Sequence, residues 1–214
     1  MPARDLALPA HPDVLIDAEE TVWRGRAPLQ LVTFRHRRFD GALSPARTWE
    51  LWRRGRAAAV LPYDPVQDSV VLIEQFRLPA LAAGLPPVMV EIPAGLCDGG
   101  EDPAGTVRRE SVEETGLPVG RLERIGEFLL APGGCDECIT LFAGQVEAPA
   151  PGPDGLVGHA GLSAEGEDIR VRVLPAADAV EAALAGRHPN AVTSLALLWL
   201  AARRDWLRRR WATP

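Results

Sequence analysis

The 214-residue chain has little sulfur and no lysine. Its three cysteines, Cys97, Cys135 and Cys138, are an odd count without a dense framework, which excludes a disulfide-stapled scaffold and suits a reducing compartment. The Cys135-x-x-Cys138 pair invites a zinc or redox reading, but no second ligand pair stands near it, so free thiols are expected. The missing lysine reflects a bias toward arginine and carries no functional meaning. No apolar run is long enough to span a membrane, and the opening MPARDLALPAHPDV lacks the apolar core of a signal peptide, so a cytoplasmic protein with no membrane partner is expected. A formal net charge of −6 argues against coating nucleic acid, although unevenly spread arginines leave room for a local anion site.

What the chain does have is concentrated between Gly95 and Leu117, in GLCDGGEDPAGTVRRESVEETGL. Asp102 and Pro103 form an N-cap and first-turn pair, and Gly116 is a C-terminal stop, which predicts a short helix between them after a loop from Gly95 to Glu101. On that helix Glu110 precedes Glu113 and Glu114 by three and four residues, so the three carboxylates share a face. Like charges at this spacing repel by ~0.2–0.5 kcal/mol per pair even when solvated. A bound cation removes that cost, and a cluster of hard oxygen donors suits Mg²⁺ or Mn²⁺ better than Zn²⁺. The bland alternative is a solvated, charged helix face.

Elsewhere, Gln30 to Phe39 and Arg47 to Trp52 read as strands around an Asp40-Gly41 turn, a small N-terminal antiparallel region. Ala57 to Tyr63 and Ser69 to Phe76 are apolar strands joined at Asp64-Pro65, and Val88 to Ile92 leads into the Gly95 segment. Further strands are expected at Leu122 to Leu129, Ile139 to Val146 and Ile169 to Leu174, with a mobile Pro/Gly-rich loop from Ala148 to Gly161. Helices should follow from Ala177 to Leu184 and after Asn190, the second with Val192, Leu195, Trp199 and Trp206 on its apolar stripe. Strands first, a central helix and terminal helices imply an α/β/α sandwich with a mixed sheet. The expected division is residues 1–56 as an N-terminal β region, with Trp49 and Trp52 as candidates for a subunit interface, and 57–214 as the main domain that carries the acidic helix.

The segment resembles the signature of the Nudix hydrolase family, G-x5-E-x7-R-E-U-x-E-E-x-G-U with U aliphatic, through Gly95, Glu101, Arg109, Glu110, Glu113, Glu114, Gly116 and Leu117. Ser111 departs, standing where an aliphatic residue is usual. LIEQFR at 72–77, EIPAG at 91–95, FLLAPGGCDE at 128–137 and the Asn190-Ala191 helix start are similar to the ADP-ribose pyrophosphatase branch, so the resemblance covers roughly residues 50 to 200.

The resemblance implies a Nudix α/β/α fold and metal-dependent hydrolysis of ADP-ribose to AMP and ribose 5-phosphate. Glu110 and Glu114 would ligate the metal, Glu113 would ligate it directly or through water, and the carbonyl of Ala94 would complete the sphere. Arg109 and Glu101 would pair to hold loop against helix. In the acidic stretch 161–170, Glu165 would be the base and Glu167 a further ligand or a support for one. Arg77 would contact phosphate and Glu137 the terminal ribose. A homodimer is expected, the partner's N-terminal region completing the site. Arg54 and Phe34 are candidates for adenosine contacts, because guanidinium and aromatic faces stack on bases. The alternatives are a pyrophosphatase for GDP-mannose or another nucleoside diphosphate sugar, and a nucleotide-sensing module, against which the full set of acids weighs.

Overall fold

The computed structural model describes residues 6–162, 164 and 166–212. The chain forms two compact units, Met1–Arg56 with Phe128–Ile139, and Ala57–Glu127 with Thr140–Pro214. Segment Phe128–Ile139, placed with the main domain by sequence, thus groups with the N-terminal region.

In the first unit, β1 (Val14–Arg24), β2 (Pro28–His36) and β3 (Arg47–Trp52) form an antiparallel sheet in that order. The sequence reading missed β1. Its acids and mostly exposed side chains hide a strand, and irregularities at Ile16/Ala18 and Thr21/Trp23 break its alternation. Asp40 and Gly41 do make a turn: Ala42 N–H donates to Asp40 Oδ1 at 3.0 Å, and Gly41 has φ 83°. Asp136 ties the inserted segment down, accepting from Arg53 Nε at 2.7 Å and from the Gly55 amide at 3.0 Å.

The larger sheet has the strand order β10-β11-β5-β4-β9-β8, with β6 on β5 and β7 on β4. Its members are β4 (Arg56–Asp64), β5 (Ser69–Phe76), β6 (Val88–Glu91), β7 (Ala94–Leu96), β8 (Leu122–Leu129), β9 (Cys138–Gln145), β10 (Leu156–Ala160) and β11 (Ile169–Pro175). The helices are α1 (Leu78–Ala82), α2 (Pro103–Thr115), α3 (Ala176–Leu184) and α4 (Ala191–Trp211). This is the mixed α/β architecture expected from the order of elements. Val60, Leu61, Tyr63 and Val70 to Ile73 are fully buried, as continuous apolar runs in central strands require.

One detail of the topology builds the site. β4 and β5 pair only at their hairpin end, Tyr63↔Val70 and Asp64↔Ser69. Beyond it they part: β5 takes β6 at Ile73 to Phe76, and β4 takes β7 at Ala57 to Ala59. The wedge between two central strands therefore holds residues 88–96, and Gly95 sits at the mouth of the predicted loop as a strand residue.

Two expectations need correction. The Ala148 to Gly161 stretch contains β10, which pairs antiparallel with β11 from Leu156↔Arg172 to Ala160↔Ile169. On α4 the buried stripe is Thr193, Ala196, Leu197, Leu200, Leu207 and Trp211, rotated from the predicted one; Leu195 is exposed and Trp199 half-buried. Trp206 instead lies between Arg203 and Arg210, whose guanidinium carbons are 5.9 and 5.3 Å from its ring.

Candidate active site

α2 begins and ends where local chemistry dictates. Asp102 accepts from the Gly105 amide at 2.7 Å, Pro103 opens the first turn, and Gly116 closes the helix in the left-handed region at φ 75°. The helix buries Val107, Ser111, Glu114 and Thr115, one stripe at helical spacing. Ser111, the departure from the signature, is buried and donates its hydroxyl to the Leu117 carbonyl at 2.8 Å. The polar residue thus satisfies a carbonyl just past the helix end.

That stripe carries Glu114 inward, where it is 3% exposed. Its Oε2 accepts from the Ala94 amide at 3.0 Å, which sets it against β7. Burial pushes its pKa up to about 8; the Ala94 bond and Arg77 oppose the rise, while Glu110 and Glu167 add to it. Burial, and then Glu113 and Glu167, also raise Glu110, against the pull of Arg109.

Arg109 gathers the remaining acids of the helix and its loop. NH1 donates to Glu110 Oε1 and Glu113 Oε2, each at 2.8 Å, and NH2 to Glu101 Oε2 at 3.2 Å. Thr106 Oγ1 donates to the same Glu101 oxygen at 2.9 Å. One planar fork therefore spans three carboxylates, which a lysine could not do with fixed geometry. Gly95 leaves room for this arrangement: a Cβ there would stand 1.7 Å from Glu110 Oε1.

The acidic loop reaches the same helix. The Gly161 amide donates to the Glu113 carbonyl at 3.1 Å, and Glu167 Oε2 accepts from the Leu162 amide at 3.0 Å. Glu167 acts electrostatically on Glu110, Glu114 and Arg77. Glu165 lies outside the described residues. The larger unit thus brings together Glu101, Arg109, Glu110, Glu113, Glu114, Ala94, Glu167 and Arg77.

The donor set fits a hard divalent cation. Every donor is oxygen, and Glu114 is a buried acid beside two others that raise its pKa. Among the described residues the carboxylates do not converge on a point, because Glu110 and Glu113 turn to Arg109 and Glu114 to the Ala94 amide.

The smaller unit holds the other candidates. Arg54 donates to Glu137 at 3.1 and 3.4 Å and lies 5.1 Å from the Trp52 ring centroid. Phe34 meets Trp49 edge-on at 5.1 Å. Trp23, Trp49 and Trp52, 65%, 51% and 46% exposed, line a groove of about 660 Å³ with Thr48, Gly133 and Gly134. Glu137 and Arg54, read separately from sequence, satisfy one another here.

Sequence reasoning missed Glu91, Asn190 and Thr193 as part of this chemistry. Glu91 and Asn190 are joined by a hydrogen bond across 99 residues of chain. The available signal was an acid, Glu91, ending an otherwise apolar strand.

These features define an α/β fold with a cluster of acids on and around one helix, and the NUDIX domain model matches residues 53–195. The chain belongs to the Nudix family. It is similar to the ADP-ribose pyrophosphatase of Escherichia coli (strain K12), 40% identical over 200 residues that cover 94% of this chain and 93% of that one. It also resembles the GDP-mannose pyrophosphatase of Cronobacter sakazakii, 35% identical over 176 residues, 82% of this chain and 88% of that one. A crystal structure of an ADP compounds hydrolase superposes with a TM-score of 0.62 over 92% of this chain and 98% of that one, at 21% identity, a likeness of fold.

Proposed function

We propose that the chain hydrolyses the diphosphate of ADP-ribose to AMP and ribose 5-phosphate with a divalent ion, Mg²⁺ or in its place Mn²⁺. The observation that carries the reading is Glu114, an acid buried beside Glu110 and within the field of Glu167 and Arg77. Such a site costs free energy unless a cation occupies it. The relatives named ADP-ribose pyrophosphatase, matched over nearly the whole chain, direct the substrate reading.

Glu110 and Glu114 would hold the ion, with Glu113, Glu167 and the Ala94 carbonyl as further donors. The chemistry a bound ion supplies is neutralisation of charge that develops on the phosphate oxygens. Arg77 binds a phosphate and orients it. Glu165 takes a proton from water, whose oxygen forms the new bond to phosphorus as the bridging P–O bond breaks. Arg109 and Glu101 hold loop against helix. Glu137 binds the terminal ribose, and Arg54 and Phe34 contact the adenosine.

The test is product analysis with Mg²⁺ and equal ADP-ribose, GDP-mannose, UDP-glucose and NADH. Release of AMP and ribose 5-phosphate from ADP-ribose is expected to dominate, and EDTA should abolish it. A preference for GDP-mannose, the substrate named in the second group of relatives, would keep the chemistry and move the substrate. Cleavage of none would leave a nucleotide-sensing module.

The chain is further proposed to be cytoplasmic and to act as a homodimer through its N-terminal unit, whose exposed Trp23, Trp49 and Trp52 are of the kind enriched at interfaces. Light scattering should give twice the chain mass; a monomer would sink this. Among the described residues no helix is long and apolar enough to cross a membrane.

A further inference from the structure

The candidate phosphate arginine is held by a buried circuit outside the signature. Glu91 ends β6 and is 7% exposed. Its strand lies antiparallel on β5, with Glu91 opposite Ile73, and the Arg77 amide donates to the Pro87 carbonyl at 2.7 Å. Register thus sets Glu91 beside the middle of β5, and the Arg77 side chain, emerging past the end of that strand, reaches back past Gln75 to the Glu91 carboxylate.

The two oxygens of that carboxylate serve different neighbours. Oε2 accepts from Arg77 NH2 at 2.8 Å, Arg77 Nε at 3.0 Å and Gln75 Nε2 at 3.2 Å. Oε1 accepts from Asn190 Nδ2 at 3.0 Å. Asn190 Oδ1 in turn accepts from the Thr193 amide at 2.9 Å, capping α4, and Thr193 Oγ1 accepts from the Ile92 amide at 3.2 Å. The circuit closes on the residue after Glu91, so the carboxylate is fixed from the strand side and the helix side together.

Burying a carboxylate is a costly way to add stability, since a paired buried charge seldom exceeds a packed apolar isostere. What this pair supplies is orientation. Glu91 engages one edge of the guanidinium, through Nε and NH2, while the Arg77 side chain stays 43% exposed. Burial opposes the charge on Arg77, yet the hydrogen bonds and field of Glu91, with Glu114 and Glu167 beyond, raise its pKa above the ordinary value. The guanidinium is therefore charged, held on one edge, and within the field of the acids of α2 and the acidic loop.

We propose that Glu91, itself oriented by Asn190, is a positioning residue that sets the rotamer of Arg77 so that its outer edge addresses the substrate diphosphate. This rests on Arg77 being the phosphate contact proposed above. Glu91 touches no substrate in this role and acts through the arginine alone.

The test is a double-mutant cycle of Glu91→Gln and Arg77→Ala, reading KM and kcat for ADP-ribose and, in EDTA, the Kd of ADP by calorimetry. Loss of one charge-assisted pair should raise KM and Kd roughly 10- to 100-fold in Glu91→Gln. The same change should lower kcat less than about fivefold and add no more than about twofold in the Arg77→Ala background. Equal effects of Glu91→Gln in both backgrounds would mean that it acts through the fold, and would overturn the proposal.

Asn190→Ser keeps a capping oxygen but removes the donor to Glu91, and should raise KM about threefold, again only with Arg77 present. It carries the cycle should Glu91→Gln fail to fold; an equal rise without Arg77 would overturn the proposal. ADP has a diphosphate and no second sugar. A wild-type chain that leaves ADP-ribose uncleaved while the ADP cycle holds would sink the substrate reading and keep the positioning role. Equal ADP affinity in wild type and Arg77→Ala would sink the positioning role itself.

Discussion

Glu114→Gln is expected to lower turnover by about 10²–10³-fold at saturating Mg²⁺, the scale of losing a principal electrostatic contact to a transition state. The same change should leave the cation-free protein at least as stable as the parent. Glu114 is 3% exposed, and an amide oxygen in its place can still accept from the Ala94 amide, now at 3.0 Å from the carboxylate. The sign follows from the direction of its shift. Its folded pKa, about 8, lies above the ordinary glutamate value of 4.5, so the folded state holds the proton more tightly than the unfolded state. Stability from this group is therefore greatest at low pH and is lost as pH rises from the unfolded toward the folded value. At pH 8 in EDTA, Glu114→Gln should melt at or above the parent, while in Mg²⁺ the parent should gain and the variant should not. A residue that only supports the fold would lose activity and stability together. Near-normal turnover at saturating Mg²⁺ would remove Glu114 from the ligand set.

Gly95→Ala should cost about 10²-fold in turnover, the effect of misplacing a catalytic group by about 1 Å, with the fold retained. The backbone at Gly95 is not in the left-handed region, so alanine carries no strain there. What it meets is Glu110: Oε1 at 1.7 Å, Cδ at 2.2 Å and Cγ at 2.7 Å from the added carbon. The obstacle is the far end of a flexible side chain, which can swing away cheaply. In swinging it leaves Arg109 NH1, 2.8 Å away, and the candidate metal position. Circular dichroism should show a native melt, and turnover should be lost. Because the damage runs through Glu110, Gly95→Ala should add little to Glu110→Gln. Additive losses would show that the glycine serves some other contact.

Locally encoded features were legible. Asp102, Pro103 and Gly116 announce both ends of α2 because capping and left-handed turns involve residues within four positions of each other. The spacing of Glu110, Glu113 and Glu114 follows from helical geometry and needs no knowledge of the rest of the fold. Asn190 was legible as a cap for the same reason, and its side chain does accept from the Thr193 amide. β1 and β10 were not legible. Each is an edge strand with exposed or irregular positions, defined by its pairing partner more than by its own pattern.

The chain's own order of residues thus settles the box: helix, caps and acid spacing. These are short-range consequences of backbone geometry and charge. It does not settle which of the three helical acids is buried, since spacing puts all three on one side and only packing against β7 selects Glu114. Nor does it reveal that Glu91, Arg77 and Asn190 act together. That circuit exists because β4 and β5 part and admit β6, bringing strand ends to the start of α4 across 99 residues. Hydrogen bonds of such separation are chosen by topology, where chain entropy is overcome by the burial of the whole sheet and not by any local preference.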